Sequence, residues 1–165
     1  MQQNHNKILL DLINKTATLK SKNFFKELDI KVKKTIGHKL FTLMVVDRSL
    51  RYVERVYSNN KKIYPLLGRK PIPKNNWTKK VIMDKKDFIG KDMKVIKKLF
   101  FDHKIISSIG CGSIINIPVI NNNIILGTMN ILHEEFYYNS RNVKDAKPFA
   151  NLLSSYFLFH QQKKI

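Results

Sequence analysis

Two β-branched runs joined by asparagines, SIINIPVI and IILGTMNILH on either side of residues 121–123, constrain the fold of this chain most strongly. Each run is short and rich in isoleucine, and turn formers bound both, the pattern of an antiparallel hairpin. A connection of three asparagines pairs the strands so that Asn116, Thr128 and Asn130 share one face. Ile115, Ile117 and Val119 then lie against Ile125, Met129 and Ile131 on the other face, which is apolar throughout and suits a layer of helices. The first face buries amides, and a buried polar group without a partner costs roughly 1–3 kcal/mol. Two readings follow: the amides line a pocket and meet a ligand, or Asn116 and Asn130 bond each other and lock the register. Gly127 favours the pocket, because a strand glycine admits close approach by a backbone or a ligand.

The rest of the chain arranges itself around this hairpin. KLFTLMVVD (39–47) is a buried run closed by an Asp-Arg-Ser turn, and RYVERVYS (51–58) alternates with period two, so a first hairpin is expected there. Residues 4–22 place Ile8, Leu9, Leu12, Ile13 and Leu19 at helical spacing, and residues 24–36 do the same with Phe24, Phe25, Leu28, Val32 and Ile36 before Gly37. Residues 59–77, with three prolines and a glycine, predict a long stiffened loop with one helical turn at most. A short helix capped by Asn75 or Asn76 spans 76–84, a short strand 87–90, and one helix, or two broken near Asp102, spans 91–110. Residues 143–161 are helical from about Pro148 and apolar around much of the circumference, so they require more than one surface to bury against. Strands grouped in hairpins between helices, without βαβ alternation, predict an α+β fold with an antiparallel sheet. At 165 residues the chain is expected to form a single domain, 1–165, with N-terminal helices at 4–36, sheet and pocket at 39–133 and a C-terminal helix at about 148–161.

The net charge of +19 admits two accounts. It fits a polyanionic partner, nucleic acid above all. It also fits A/T-rich coding, since 26 lysines against 5 arginines accompany 16 asparagines and 20 isoleucines, residues that share such codons. The lysines are spread as pairs from Lys33-Lys34 to Lys163-Lys164, and arginine, the residue for bidentate base contacts, is scarce. Coding bias is therefore the favoured account, and a nucleic-acid partner is the alternative. No apolar run approaches the roughly 18–20 residues that span a bilayer, so no membrane partner is expected. The opening MQQNHNKILLDLINK lacks the features of a signal peptide, which makes the cytoplasm the expected compartment.

Candidate site residues come from chemistry in context. Arg69 and Lys70 sit beside two prolines that hold the loop, and a fixed arginine suits a carboxylate or phosphate. Trp77 either anchors the short helix or stacks on a planar ligand. Asp102 and His103 are adjacent, so they form no ready acid–base pair, yet a helix break would turn either into a pocket roof. Cys111, the single cysteine, follows a helix C-terminus, whose partial negative charge disfavours a thiolate, so a buried structural role is expected. His133 precedes Glu134 and Glu135, but no metal site is assigned, and no cofactor is identified.

The segment GCGSIINIPVINNNIILGTMNILH, followed by a closing helix, resembles the C-terminal half of the GAF domain family, and the resemblance extends over about residues 5–160. It implies a central antiparallel sheet with terminal helices on one face and, on the other, a pocket roofed by loops and short helices. It also implies a small-molecule ligand and dimerisation through the terminal helices. The chain lacks the Asn-Lys-Phe-Asp-Glu signature of cyclic-nucleotide binders, and Cys111 lies in Gly-Cys-Gly rather than the Cys-His of bilin-attaching members. It is similar in size to the free methionine sulfoxide reductases, but it has no second cysteine to close a disulfide. The expected function is that of a stand-alone sensor or carrier, homodimeric, binding an anionic or zwitterionic metabolite through Arg69, Lys70, Trp77, His103, Asn116, Thr128 and Asn130. The alternative is a small enzyme on the same scaffold, with Cys111, His103 and Asp102 as its catalytic candidates.

Overall fold

Both hairpins enter one sheet. The computed structural model describes residues 2–162 and contains the strands β1 (Leu40–Val46), β2 (Tyr52–Ser58), β3 (Arg69–Pro71), β4 (Phe88–Gly90), β5 (Ser113–Asn121) and β6 (Ile124–His133). They run antiparallel in the order β3-β2-β1-β6-β5-β4. Helices α1 (Gln2–Thr16) and α2 (Ser21–Thr35) precede the sheet, and α5 (Ser140–Asn151) and α6 (Ser154–Gln162) follow it. A π-helical segment (Thr78–Met83), α3 (Met93–Leu99) and α4 (His103–Ser108) lie between β3 and β5. The Lys163-Lys164 pair lies outside the described residues.

The central strands are buried along almost their whole length because both faces of the sheet are covered. Phe41, Leu43 and Val45 of β1 face one core together with Ile115, Ile117, Val119, Met129 and Ile131. The terminal helices close that core with Leu12, Phe24, Leu28, Phe149 and Phe157. Leu40, Met44 and Val46, alternating with the first set, face a second core formed with Trp77, Val81, Ile82, Ile96 and Ile106. The wide apolar surface of the C-terminal helix is met within the chain, for Tyr156 stacks on Phe24 at 4.5 Å and meets Phe25 edge-on.

The second hairpin differs from expectation in one instructive way. Its turn has two residues, Asn122 and Asn123, both at positive φ (47° and 61°), which asparagine tolerates and the tight hairpin turn requires. A two-residue turn alone would set Asn116 opposite Met129. The register shifts between Val119 and Ile120, however, and this bulge leaves Leu126 as the extra residue, so Asn116 pairs with Asn130 and Pro118 with Thr128. The shared face of Asn116, Thr128 and Asn130 is restored, but Ile125 now joins the second core instead of facing the helices. Gly127 also serves a different purpose. Its free side is filled by the Met44 carbonyl and the Phe157 ring, so close packing against the helices, not a ligand, requires it.

Other boundaries follow local chemistry. The first helix stops at Thr16 and the second starts at Ser21, short of the continuous span expected to residue 22. Pro148 lies inside α5, whose start is instead capped by Asn139 and Asn142 in a reciprocal box. With no N–H at Pro148 the helix loses a bond there, and the chain turns at Leu152 and Leu153 before α6 begins. Within the long loop, residues 69–71 form an unforeseen edge strand, where a proline is tolerated. Asn75 accepts from the Thr78 amide at 3.1 Å and caps the π-helical segment, and the helical stretch 91–110 does break at Asp102.

Candidate functional site

Between the sheet and the short helices the second face encloses a cavity of about 70 Å³. Its floor is the polar row of the sheet: Thr42 from β1, Asn116 from β5, and Thr128 and Asn130 from β6. A chain of hydrogen bonds runs along this floor. Trp77 Nε1 donates to Asn116 Oδ1 at 2.9 Å, Asn116 Nδ2 to Asn130 Oδ1 at 2.6 Å, and Asn130 Nδ2 to Thr42 Oγ1 at 3.2 Å. The two readings of the amides therefore describe one arrangement. They bond each other, and together they form the cavity wall while holding Trp77 against it.

The charged groups enter from the side and the roof. Arg55 of β2 lines the cavity at 8% exposure. Its Nη1 donates to the Pro65 carbonyl at 2.9 Å and its guanidinium sits 4.9 Å from the centre of the Tyr64 ring, while Nε has no partner. Gly68 lets the loop pass over this side chain, since a Cβ there would come within 3.0 Å of Nη1. Burial lowers the pKa of Arg55, and the Tyr64 and Asp102 charges oppose that shift. Asp102, at the break between α3 and α4, accepts from the Tyr64 hydroxyl at 3.3 Å and lies 4.0 Å from Lys70 Nζ. Burial raises the Tyr64 pKa, and Asp102 adds to the shift; burial lowers that of Lys70 against the attraction of the same carboxylate. Two cations and one carboxylate thus line the space, leaving one positive charge in excess.

Of the residues expected from sequence, Lys70, Trp77, Asp102, Asn116, Thr128 and Asn130 are brought together on this cavity. Arg69 is not. Neighbours in a strand point to opposite faces, so with Lys70 inward Arg69 turns outward, over the Tyr52 ring at 4.4 Å, beside a separate cleft that includes Glu54 and His160. His103 is absent from the lining, and its Nδ1 is 3.0 Å from the Phe100 carbonyl. Cys111 is buried in the second core, and burial pushes its thiol up to about 11 despite the nearby Lys39. Arg55 and Tyr64 were missed. The signal for Arg55 was its phase, two residues after Val53 on the buried side of an alternating strand, whereas Tyr64 sits in an aperiodic loop that carried none.

An antiparallel sheet with helices packed on one face and a roofed cavity on the other is the architecture of the GAF domain, and this chain has the GAF-domain fold. Its structure is similar to the GAF domain of a phosphoenolpyruvate-protein phosphotransferase from Coxiella burnetii, with a TM-score of 0.77 at 13% identity, over 98% of this chain and 96% of that one. The GAF domain of a two-component sensor histidine kinase from Bacillus halodurans superposes with a TM-score of 0.70 at 11% identity, over 90% of this chain and all of the other (100%). The chromophore-binding domain of an unusual bacteriophytochrome from R. palustris gives 0.69 at 9% identity, over 99% of this chain and 63% of that one. No protein-family model matches the sequence, and comparison with curated proteins finds no match. Among the described residues no helix is long and apolar enough to cross a membrane.

Proposed function

We propose that the chain is a sensor or carrier domain that holds a small anionic or zwitterionic metabolite in the cavity over the sheet. The observation that carries this reading is Arg55: a buried guanidinium on the cavity wall with Nε unpartnered. A buried donor without an acceptor is costly, and an entering carboxylate or phosphate would satisfy it with a charge-assisted bond. Lys70 adds a second cation, while Asn116, Asn130 and Trp77 supply orientation. Similar folds include a sensor-kinase domain and a chromophore-binding domain, which supports a role in ligand sensing. Size narrows the ligand. An apolar cavity of about 150 Å³ accommodates benzene, so the 70 Å³ here takes a group of a few heavy atoms unless the roof moves. The same reading makes the chain a homodimer joined through its terminal helices, because Leu10 and Ile13, on one side of α1, are 59% and 48% exposed.

A thermal-shift series with small carboxylates, phosphates, and neutral and cationic analogues tests the ligand class, alongside mass spectrometry of what co-purifies with the native protein. Anionic compounds should raise Tm, with a stabilisation of about 2.7 kcal/mol at a hundredfold excess over Kd. Arg55→Gln should remove the shift. A response confined to neutral or cationic compounds would overturn the reading.

A further inference from the structure

We infer that Asp102 is both the internal counter-anion of the cavity and the latch of its roof, and that a ligand carboxylate or phosphate displaces it from Lys70 and Tyr64. This rests on the proposal that the cavity accepts an anion, and it specifies which group the anion replaces.

Three separate segments meet at one atom. The Tyr64 hydroxyl from loop 59–68 and Lys70 Nζ from β3 both approach Oδ2 of Asp102, which itself belongs to the link between α3 and α4. That carboxylate side chain is only 12% exposed and lines the same cavity as Arg55. Its contacts are also the slack ones. They measure 3.3 and 4.0 Å, whereas Arg55 holds the Pro65 carbonyl, Asn75 the Leu99 carbonyl and Trp77 the Asn116 amide at 2.9 Å each. Hydrogen bonds weaken as they lengthen beyond about 3 Å, so the ties to Asp102 should yield before the others. The adjoining Phe101 lines the cavity with its ring 5.0 Å from Lys70 Nζ, yet it is 73% exposed, so it is Phe100, edge-on to Trp77, that seats the link on the core.

Charge gives the direction of the exchange. With Asp102 in place the lining carries one net positive charge, enough for a compact monoanion beside Arg55. A second carboxylate held near Asp102 would be repelled, and in a partly buried site that repulsion is poorly screened. The entering anion therefore takes over Lys70 and Tyr64, Asp102 turns out, and the roof gains room for the remainder of the ligand. The class of ligand is a metabolite with one compact anionic head, carboxylate or monoanionic phosphate, whose body occupies the space that the α3–α4 link vacates.

Trp77 is the only tryptophan and lines the cavity, so its fluorescence reports occupancy. The probes are acetate and inorganic phosphate, titrated into the wild-type chain, Asp102→Asn, Asp102→Ala as a second removal of the charge, and Arg55→Gln, each checked for a native circular-dichroism spectrum. Hydrogen exchange of residues 59–73 and 100–106 is measured on the same proteins without added anion. Removing a competing charge should tighten anion binding by about tenfold or more in both Asp102 variants, and exchange in both segments should quicken. Binding no tighter than wild type, or tighter binding without faster exchange, overturns the latch while leaving the anion site standing. No fluorescence response in the wild-type and Asp102 variants alike overturns the anion site as well.

Discussion

Cys111 lies where the backbone has little freedom, between Gly110 at φ +70° and Gly112, whose missing Cβ leaves room for the side chain and backbone of Glu135. Its thiol sits in an apolar core that disfavours the thiolate, so the folded-state pKa is about 11 against an ordinary value of 9.0. The sign follows directly. The folded state holds the proton more tightly than the unfolded one, so this stabilisation is complete below pH 9.0 and is lost as the pH rises toward 11. Partly buried Tyr57 and buried Tyr64 and Tyr138, all with raised pKa values, extend the decline to higher pH. Urea denaturation between pH 8 and 11 should show Cys111→Ala losing stability less steeply than wild type, by up to about 2–3 kcal/mol across that range. Equal slopes would show that the thiol titrates alike in the folded and unfolded protein, so that burial does not raise its pKa. The same burial argues against a nucleophilic Cys111. Sequence context had already pointed that way, because a helix C-terminus and two glycines are a poor setting for a thiolate.

Among the elements, the β5–β6 hairpin shows how much of the arrangement could be inferred locally. Asn116, Thr128 and Asn130 were assigned to one face from an assumed three-residue turn, and they do share a face. The route differs, since a two-residue turn and a bulge at Leu126 together give the same parity. Ile125 falls on the turn side of that bulge, and its orientation is therefore reversed. A bulge depends on what packs behind the strand, which no period-two pattern encodes. Gly127 makes the point energetically. Its neighbour is a backbone carbonyl of the central strand, which cannot move aside as a flexible side chain would. Gly127→Ala should therefore cost about 3 kcal/mol or more, whereas Ile124→Ala, at a position 62% exposed, should change stability by about 0.5 kcal/mol or less. Chemical denaturation of the two variants checks both. A tolerated alanine at 127 would mean that the strand can bend away from Phe157.

In the whole molecule the helix layer leaves apolar surface uncovered. Leu10 and Ile13 on α1 are more exposed than the core-facing Leu12, which is fully buried. If the terminal helices join two chains, light scattering should give twice the 19.4 kDa chain mass, and Leu10→Lys with Ile13→Lys should return a monomer. The net charge of +19 opposes association, so the measurement belongs at both low and high salt, with the dimer strengthening as salt screens the repulsion. A single-chain mass at micromolar concentration and high salt would overturn the dimer. What the sequence determined by itself was the class of fold and its layers: hairpins between helices, one apolar face for the helices and one amide-bearing face for the cavity. These are written in the spacing of neighbouring residues, so they can be read locally. The tertiary structure alone decided that Lys70 faces inward while Arg69 does not, that Arg55 reaches the cavity from β2, and that Tyr64 and Asp102 meet across its roof. Those outcomes depend on strand register and on contacts between residues 38 or more positions apart, which local periodicity does not specify.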